Sequence, residues 1–218
     1  MRQVRIIGKE PLFPLGKIVC IGRNYAEHIR ELGNEVPDRP VLFMKPASSV
    51  IGEGESIVIP AYSQDCHHEV ELALLIGRTI KGISAADALT AVAGYGVAID
   101  LTLRDVQSEL KSKGLPWEVA KAFDTACPLS DFVSAESVHD PQNLAISLQV
   151  NGEVRQEATT ALMLRPIPQL LAEISAIFTL EAGDIILTGT PAGVSRLCSG
   201  DRVSATIAEV GSLHVIVA

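Results

Sequence analysis

Short apolar runs separated by glycine and proline dominate the pattern of this chain, and they predict a fold rich in strands. Each run is rich in Val, Ile and Leu and is too brief for a helix of typical length. The predicted strands are residues 17–22, 41–44, 57–59, 70–76, 96–100, 145–150, 184–187, 202–207 and 213–217. Asn151-Gly152 lies between two apolar segments and predicts a hairpin with a two-residue turn.

Helical periodicity is confined to a few segments of the chain. Residues 25–32 read as a helix with Asn24 as its N-cap and Gly33 as its stop. Further helices are predicted at residues 84–93, 103–113 and 168–178. Because strands dominate without a regular strand–helix alternation, the predicted fold class is α+β, mostly β. We predict one domain over residues 18–218, with residues 1–17 as a short N-terminal extension.

Composition narrows the function classes. The chain has 218 residues, of which 47% are hydrophobic but only 4% aromatic, so its core must be largely aliphatic. A net charge of −8 argues against nucleic acid or an anionic membrane surface as a partner. No apolar run approaches the ~20 residues of a membrane span, and the first residues are too weakly apolar for a signal peptide. Four scattered cysteines without C-x-x-C spacing predict reduced, mostly buried thiols and a cytoplasmic protein.

Three acidic residues form the first candidate site. Glu69 and Glu71 are two apart on a predicted strand and therefore share a face, and Asp100 ends another apolar strand. Carboxylates held together repel one another unless a proton or cation lies between them, and oxygen ligands favour Mg²⁺ or Mn²⁺. His67 or His68 could add a ligand or a base. The alternative is an edge strand with solvated glutamates and Asp100 as a helix cap.

His28 and Glu31 form the second candidate site. They are three residues apart on the helix predicted over residues 25–32 and therefore face the same side. A carboxylate beside an imidazole orients the ring and raises its basicity, as a general base requires. The alternative is an incidental pair on an exposed helix.

Other polar residues could bind an anionic substrate. Arg104 and Gln107 share one helical face, and an arginine there could bind a carboxylate. Lys45 and Lys121 are cations within apolar segments, where they either stabilise a developing enolate or extend to the surface. Thr190 lies in a Gly/Pro-rich turn that either holds an anion or simply joins two strands.

The order of these motifs resembles the fumarylacetoacetate hydrolase family, especially its short acylpyruvases and oxaloacetate decarboxylases. The resemblance runs from about residue 18 to the C-terminus. It is carried by Gly22-Arg23-Asn24-Tyr25 with His28 and Glu31, Phe43-Met44-Lys45-Pro46, His68-Glu69-Val70-Glu71-Leu72-Ala73, Asp100-Leu101-Thr102 with Arg104-Asp105-Val106-Gln107, Lys121-Ala122-Phe123-Asp124, and the segment from Gly183 to Pro191.

The resemblance implies a mixed β-sandwich roll with short helices and a mobile helical lid, assembled as a homodimer. It implies Mg²⁺, with Mn²⁺ as the alternative, on Glu69, Glu71 and Asp100. It places His28 and Glu31 on the lid, whose segment 32–40 shapes specificity. Lys121 would lie beside the substrate, and the remaining substrate contacts would be Arg23, Lys45, Arg104, Gln107 and Thr190.

The expected partner is therefore a small 2-oxo dicarbonyl acid. The first hypothesis is hydrolysis of the C–C bond of an acylpyruvate, with water activated by the His28–Glu31 pair. Alternatives that use the same metal site are oxaloacetate decarboxylation, oxaloacetate keto–enol tautomerisation and a hydroxymuconate-type isomerisation. The non-enzymatic alternative is a metal-dependent protein that binds a 2-oxo acid.

Overall fold

Strands make up most of the regular structure in the computed structural model, which describes residues 2–10 and 12–218. The strands are β1 (Gln3–Val4), β2 (Phe13–Pro14), β3 (Ile18–Gly22), β4 (Val41–Lys45), β5 (Val50–Ile51), β6 (Ser56–Ile57), β7 (Cys66–His67), β8 (Val70–Ile76), β9 (Val92–Ile99), β10 (Thr102–Leu103), β11 (Cys127–Pro128), β12 (Val133–Ser134), β13 (Ala145–Val150), β14 (Glu153–Thr159), β15 (Ile185–Leu187), β16 (Arg202–Ile207) and β17 (Gly211–Val217). The α-helices are α1 (Ala26–Glu31), α2 (Arg104–Ser112), α3 (Glu118–Lys121) and α4 (Ile167–Ile177). None of these helices is long and apolar enough to cross a membrane.

Two mixed sheets pack face to face. One has the strand order β12-β9-β8-β15-β3-β4, in which only β15 and β3 run parallel. The other has the order β14-β13-β16-β17-β6, in which only β17 and β6 run parallel. Strands β13, β16 and β17 contact β8 and β9 across the interface. This arrangement confirms the predicted α+β, mostly β fold class.

Strand β8 is an inner strand that is buried on both faces. Leu72, Leu74 and Ile76 pack into the main core, whereas Ala73 and Leu75 belong to a second cluster on the other face. Burial on both sides explains why residues 72–76 read as a continuous apolar run rather than an alternating one. The second cluster includes Val4, Ile6 and Leu15, so the predicted N-terminal extension covers the outer face of the six-stranded sheet.

One predicted helix and one predicted helix cap are wrong. Residues 84–93 form only a 3₁₀ turn at Ala88–Ala91, and Val92 already begins β9, because the strand competes for the same apolar residues. Helix α1 begins at Ala26 with Tyr25 as its N-cap, and Asn24 caps nothing. Asn151 and Gly152 do form the predicted hairpin turn, with φ angles of 54° and 83°. The cysteines are free, and only Cys198 is exposed.

Candidate metal centre and active site

The antiparallel register of β8 and β9 brings the three acidic residues together. Val70 pairs with Ile99, so Glu69, just before β8, lies opposite Asp100, just after β9, and the Asp100 amide donates to the Glu69 carbonyl at 2.8 Å. Glu71 projects to the same face as Glu69. Carboxylate oxygens of all three residues lie within 4.8 Å of one another, and all three residues are buried. The alternative of a solvated edge strand is therefore wrong.

Two cations, Lys121 and Arg104, contact this acidic triad from the side of the pocket. Lys121 Nζ lies 3.0 Å from Glu69 Oε2 and 2.6 Å from Asp100 Oδ2. Arg104 donates from Nη2 to Glu69 Oε1 and from Nη1 to Gln107 Oε1, the latter at 2.9 Å. Thr102 Oγ1 also donates to Glu69 Oε1, at 2.9 Å. Asp100 therefore pairs with cations. Helix capping, which was the alternative role considered for it, is not the role that it has here.

Lys45 occupies a different position from the one expected of a substrate contact. Its ammonium group is completely buried and lies 2.8 Å from Asp100 Oδ1. It also donates to the backbone carbonyls of Leu101, Lys121 and Ala126. With four acceptors around it, this ammonium group has no donor free for a ligand. The structure therefore places Lys45 beneath the acidic triad, where it neutralises Asp100.

The pKa values of the two glutamates shift in opposite directions because, among the described residues, cationic side chains contact Glu69 but not Glu71. Burial opposes ionisation of Glu69, but Lys121 and Arg104 outweigh it and hold its pKa below the usual range. Burial, together with the charges of Asp100 and Glu69, raises the pKa of Glu71 well above its usual range. Burial lowers the pKa of Lys121, yet Asp100 and Glu69 outweigh this effect and raise it to about 12.

A divalent cation fits this donor set. All three groups offer hard anionic oxygens, which Mg²⁺ and Mn²⁺ prefer. Within the described residues, the Gly189 amide, at 2.7 Å from Oε2, is the sole hydrogen-bond donor to Glu71, and no cationic side chain pairs with that carboxylate. A buried carboxylate without a counter-ion is costly, and a metal ion would relieve that cost. Glu69, Glu71 and Asp100 would therefore hold the ion.

Helix α1 carries the predicted His28–Glu31 pair. His28 Nδ1 lies 3.1 Å from Glu31 Oε2, and the His28 side chain is largely buried. The other carboxylate oxygen of Glu31 accepts a hydrogen bond of 3.0 Å from the Gly193 amide. Glu31 thus anchors the helix to the loop after β15 and orients the imidazole. The alternative of an incidental pair on an exposed helix is inconsistent with this burial.

A polar pocket adjoins the triad. It brings together several of the predicted site residues and the aromatic side chains of Phe43 and Trp117. It also contains Lys111, which the sequence analysis did not single out. Its lining comprises Gly22, Arg23, His28, Leu32, Asn34, Phe43, Glu69, Arg104, Gln107, Lys111, Trp117 and Lys121. Lys121 Nζ lies 4.8 Å from the centre of the Phe43 ring, within cation–π range. The pocket combines a carboxylate, an imidazole and several cations, so it can bind an anion and move a proton.

Gln156 is a functional candidate that sequence reasoning missed. This buried side chain on β14 donates to Thr190 Oγ1 at 2.8 Å, and its Oε1 accepts from the Val70 amide at 3.1 Å. It therefore links the loop carrying Thr190 to the backbone between Glu69 and Glu71. Gln156 has no distinguishing motif around it, and its contacts lie far away in the sequence.

Neither of the adjacent histidines joins the acidic triad. His68 Nδ1 lies 3.0 Å from Gln156 Oε1, and His68 Nε2 lies 2.9 Å from Ser195 Oγ. Because Gln156 Oε1 is an acceptor, His68 Nδ1 donates to it and Nε2 accepts from Ser195. Burial lowers the pKa of His68, consistent with a neutral ring. His67 Nε2 instead binds Asp65 Oδ1 at 2.9 Å.

Fold and site together define a strand-rich protein with a buried cluster of three carboxylates and a histidine beside it, and known proteins share the fold. The sequence model described as "Fumarylacetoacetate (FAA) hydrolase C-terminal" matches residues 17–218. The chain therefore belongs to the fumarylacetoacetate hydrolase family, as its motif order indicated.

Individual relatives are similar over nearly the full chain. Oxaloacetate tautomerase YcgM of Escherichia coli (strain K12) is 53% identical over 195 residues, which cover 89% of each chain. The mitochondrial oxaloacetate tautomerase FAHD1 of Bos taurus is 49% identical over 196 residues, covering 90% of this chain and 89% of its own. The crystal structure of fumarylpyruvate hydrolase from Pseudomonas aeruginosa in complex with Mn²⁺ and pyruvate has a TM-score of 0.95 at 35% identity, covering 99% of this chain and 95% of that one.

Proposed function

We propose that this protein is a divalent-metal-dependent oxaloacetate keto–enol tautomerase, one of the alternatives that the sequence left open. The observation that carries the proposal is the His28 imidazole, held by Glu31 at 3.1 Å and facing the pocket that contains Glu69 and Lys121. Tautomerisation needs one base and an environment that stabilises an enolate. The 53% identity to an oxaloacetate tautomerase supports this choice over hydrolysis.

The residues of the pocket can divide this work among them. A metal ion on the acidic triad would polarise the 2-oxo group of the substrate and make the C3 protons more acidic. Glu31 binds His28 Nδ1 and leaves Nε2 for the substrate. Nε2 takes one proton from C3 and returns it to the 2-oxygen, so the keto and enol forms differ only in the position of that proton. The Lys121 ammonium group stabilises the negative charge that develops on the oxygen.

Hydrolysis of an acylpyruvate is the second candidate, favoured by the similarity to fumarylpyruvate hydrolase. In that reaction the His28–Glu31 pair would activate water, which adds to the distal carbonyl carbon. The C–C bond then breaks, its electron pair passes to the pyruvate enolate, and C3 of that enolate takes a proton. Both reactions develop the same enolate charge, so they require the same cations.

A product assay separates the two reactions. We expect the Mg²⁺-loaded protein to accelerate loss of the enol absorbance of oxaloacetate beyond the rate with Mg²⁺ alone. His28→Ala should reduce this rate at least about 100-fold, because it removes the general base. His214→Ala is the matched control, because the exposed His214 side chain contacts Glu53 alone among the polar groups of the described residues.

The same samples should be tested with acetylpyruvate and fumarylpyruvate. If either compound releases pyruvate and the enol–keto conversion of oxaloacetate is not accelerated, the tautomerase proposal is wrong and the hydrolase proposal takes its place. Release of CO₂ from oxaloacetate as the main reaction would favour the decarboxylase. Absence of all three activities in metal-loaded protein would contradict an enzymatic role on these substrates.

A further inference from the structure

Two cations in the pocket lack an acidic partner. Arg23 Nη2 donates to Asn34 Oδ1 at 2.7 Å, and Lys111 Nζ donates to the same oxygen at 3.4 Å. Neither side chain forms a salt bridge with any carboxylate among the described residues. Arg104 and Lys121, in contrast, both bind Glu69. The pocket therefore holds one pair of cations compensated by the acidic triad and one pair, Arg23 and Lys111, that shares a single neutral amide oxygen.

Nearby cations on the same two helices do have acidic partners. Lys113, at the C-cap of α2, is paired with Glu109, and Arg30 on α1 is paired with Glu27. Partial burial and the positive charges of Arg23 and Arg104 lower the pKa of Lys111, so these groups are close enough to repel one another. An overall charge of −8 makes an uncompensated positive cluster more distinctive still.

Three separate elements build the cluster. Arg23 directly follows β3 and has a φ of 61°, a backbone conformation that is costly for a residue with a side chain. Asn34 lies just after α1, within the segment predicted to shape specificity, and Lys111 lies near the end of α2. All three side chains line the same pocket as Glu69 and His28. An anion that joins Arg23 to Lys111 would also contact the segment that follows the His28 helix.

We propose that Arg23 and Lys111, bridged by Asn34, bind the second carboxylate of a dicarboxylic 2-oxo acid and thereby select it over monocarboxylic acids. The inference rests on the proposed function, because it assigns the 2-oxo acid end of the substrate to the acidic triad and its metal ion. A carboxylate offers two acceptor oxygens, one for the guanidinium and one for the ammonium group. Its negative charge would offset the repulsion between the Arg23 and Lys111 cations, which the neutral Asn34 oxygen does not offset.

A matched pair of ligands tests the selectivity. Oxaloacetate and 2-oxobutanoate share the 2-oxo acid end, and the distal carboxylate of the first is a methyl group in the second. Binding of each to the Mg²⁺-loaded protein can be followed through the fluorescence of Trp117, the only tryptophan in the chain, which lines the pocket. We expect the unmodified protein to bind oxaloacetate at least about tenfold more tightly than 2-oxobutanoate.

Substitution of Lys111 should remove most of this preference. In Lys111→Gln, the affinity for oxaloacetate should fall about tenfold, while the affinity for 2-oxobutanoate stays within about twofold. Lys111→Arg should restore the preference, and Lys113→Gln should leave it unchanged. Equal binding of both ligands by the unmodified protein, or a preference that survives both Lys111→Gln and Arg23→Gln, would overturn the proposal.

This readout is independent of turnover. Selective binding without any enol–keto conversion would leave the selection of a dicarboxylate standing and contradict only the tautomerase. Conversion of oxaloacetate without a binding preference would contradict only the role of Arg23 and Lys111.

Discussion

Lys45 and Lys121 show how much the role of a single residue depends on its partners. Both are lysines in apolar segments, and the sequence offered the same two roles for each. In the structure, Lys45 is enclosed by carbonyl oxygens and Asp100, whereas Lys121 bridges two carboxylates and lines the pocket. Lys45 neutralises Asp100 in the interior, whereas Lys121 faces the pocket.

Lys45→Met should therefore reduce stability rather than substrate affinity alone. It would leave the buried Asp100 with one cation fewer, and breaking a buried ion pair costs about 3–5 kcal/mol. The free energy of unfolding in urea measures this loss. The double variant Lys45→Met/Asp100→Asn should recover part of it, because the uncompensated charge is then gone. A Lys45→Met protein of unchanged stability but higher KM would instead identify Lys45 as a substrate contact.

Glu31→Gln tests the orientation of the base. The amide oxygen of the new side chain can still accept from the Gly193 amide, but the carboxylate charge that orients the imidazole is lost. We expect kcat to fall at least about tenfold with little change in stability. Glu27→Gln, an exposed position on the same helix, is the control and should retain full activity. Equal effects of the two substitutions would show that Glu31 only anchors the helix.

At the scale of elements, the site depends on how closely β3 and β15 approach one another. These neighbouring strands run parallel, and the chain after each of them enters the site. Asn24, after β3, donates to the carbonyls of Thr188 and Arg165 at 2.9 and 3.2 Å and accepts from the Arg165 amide at 2.8 Å. The residue expected to cap α1 thus joins the entry of the His28 helix to the loop that binds Glu71.

Gly189→Ala should disturb this junction. Gly189 has a φ of 91°, and a Cβ there would lie 2.7 Å from Asn24 Cβ. Gly152→Ala is the matched control, because Gly152 has a φ of 83° but open space around it. Each variant should lose about 1–3 kcal/mol from backbone strain, and Gly189→Ala should lose more, together with catalytic activity. Equal losses in chemical unfolding experiments would show that the close approach costs nothing.

At the scale of the whole molecule, packing concentrates charge in the interior. The six-stranded sheet delivers the acidic triad, and β4, α2 and α3 deliver the cations around it. The N-terminal segment, covering the outer face of that sheet, belongs to the same structure. The homodimer and the cytoplasmic location expected from the sequence stay predictions, and sedimentation equilibrium tests the first.

Metal binding should be linked to pH. The raised pKa of Glu71 means that, below that pKa, the metal-free protein holds a proton there, which a divalent ion must displace. Affinity for Mg²⁺ or Mn²⁺ should therefore rise with pH, by about tenfold per pH unit while one proton is released. Calorimetric titrations in buffers with different ionisation enthalpies measure the number of protons released. Glu71→Gln should bind metal more weakly and without this release, and an unmodified protein that releases no proton would contradict the assignment.

Much of the candidate site could be predicted because it depends on local spacing. Strand alternation placed Glu69 and Glu71 on one face, and helical spacing paired His28 with Glu31 and Arg104 with Gln107. Predicted strand bounds agree closely for β3, β4, β8, β13, β15, β16 and β17, but β9 already begins at Val92, whereas the predicted strand begins at residue 96. The prediction of a helix over residues 84–93 is wrong because periodicity alone cannot show that Val92 belongs to a strand.

The sequence by itself determined the strand-rich fold class, the shared face of Glu69 and Glu71 and the pairing of His28 with Glu31, because each depends on residue identity and short-range periodicity. The order of its motifs indicated the family. Only the tertiary structure decided that Asp100 joins the two glutamates, that Lys45 contacts Asp100, that no cation among the described residues pairs with Glu71, and that Gln156 joins β14 to β8. It also decided that Arg23 and Lys111 share Asn34. These contacts join residues distant in the sequence, and their energies depend on burial and on neighbouring charges that a local pattern does not specify.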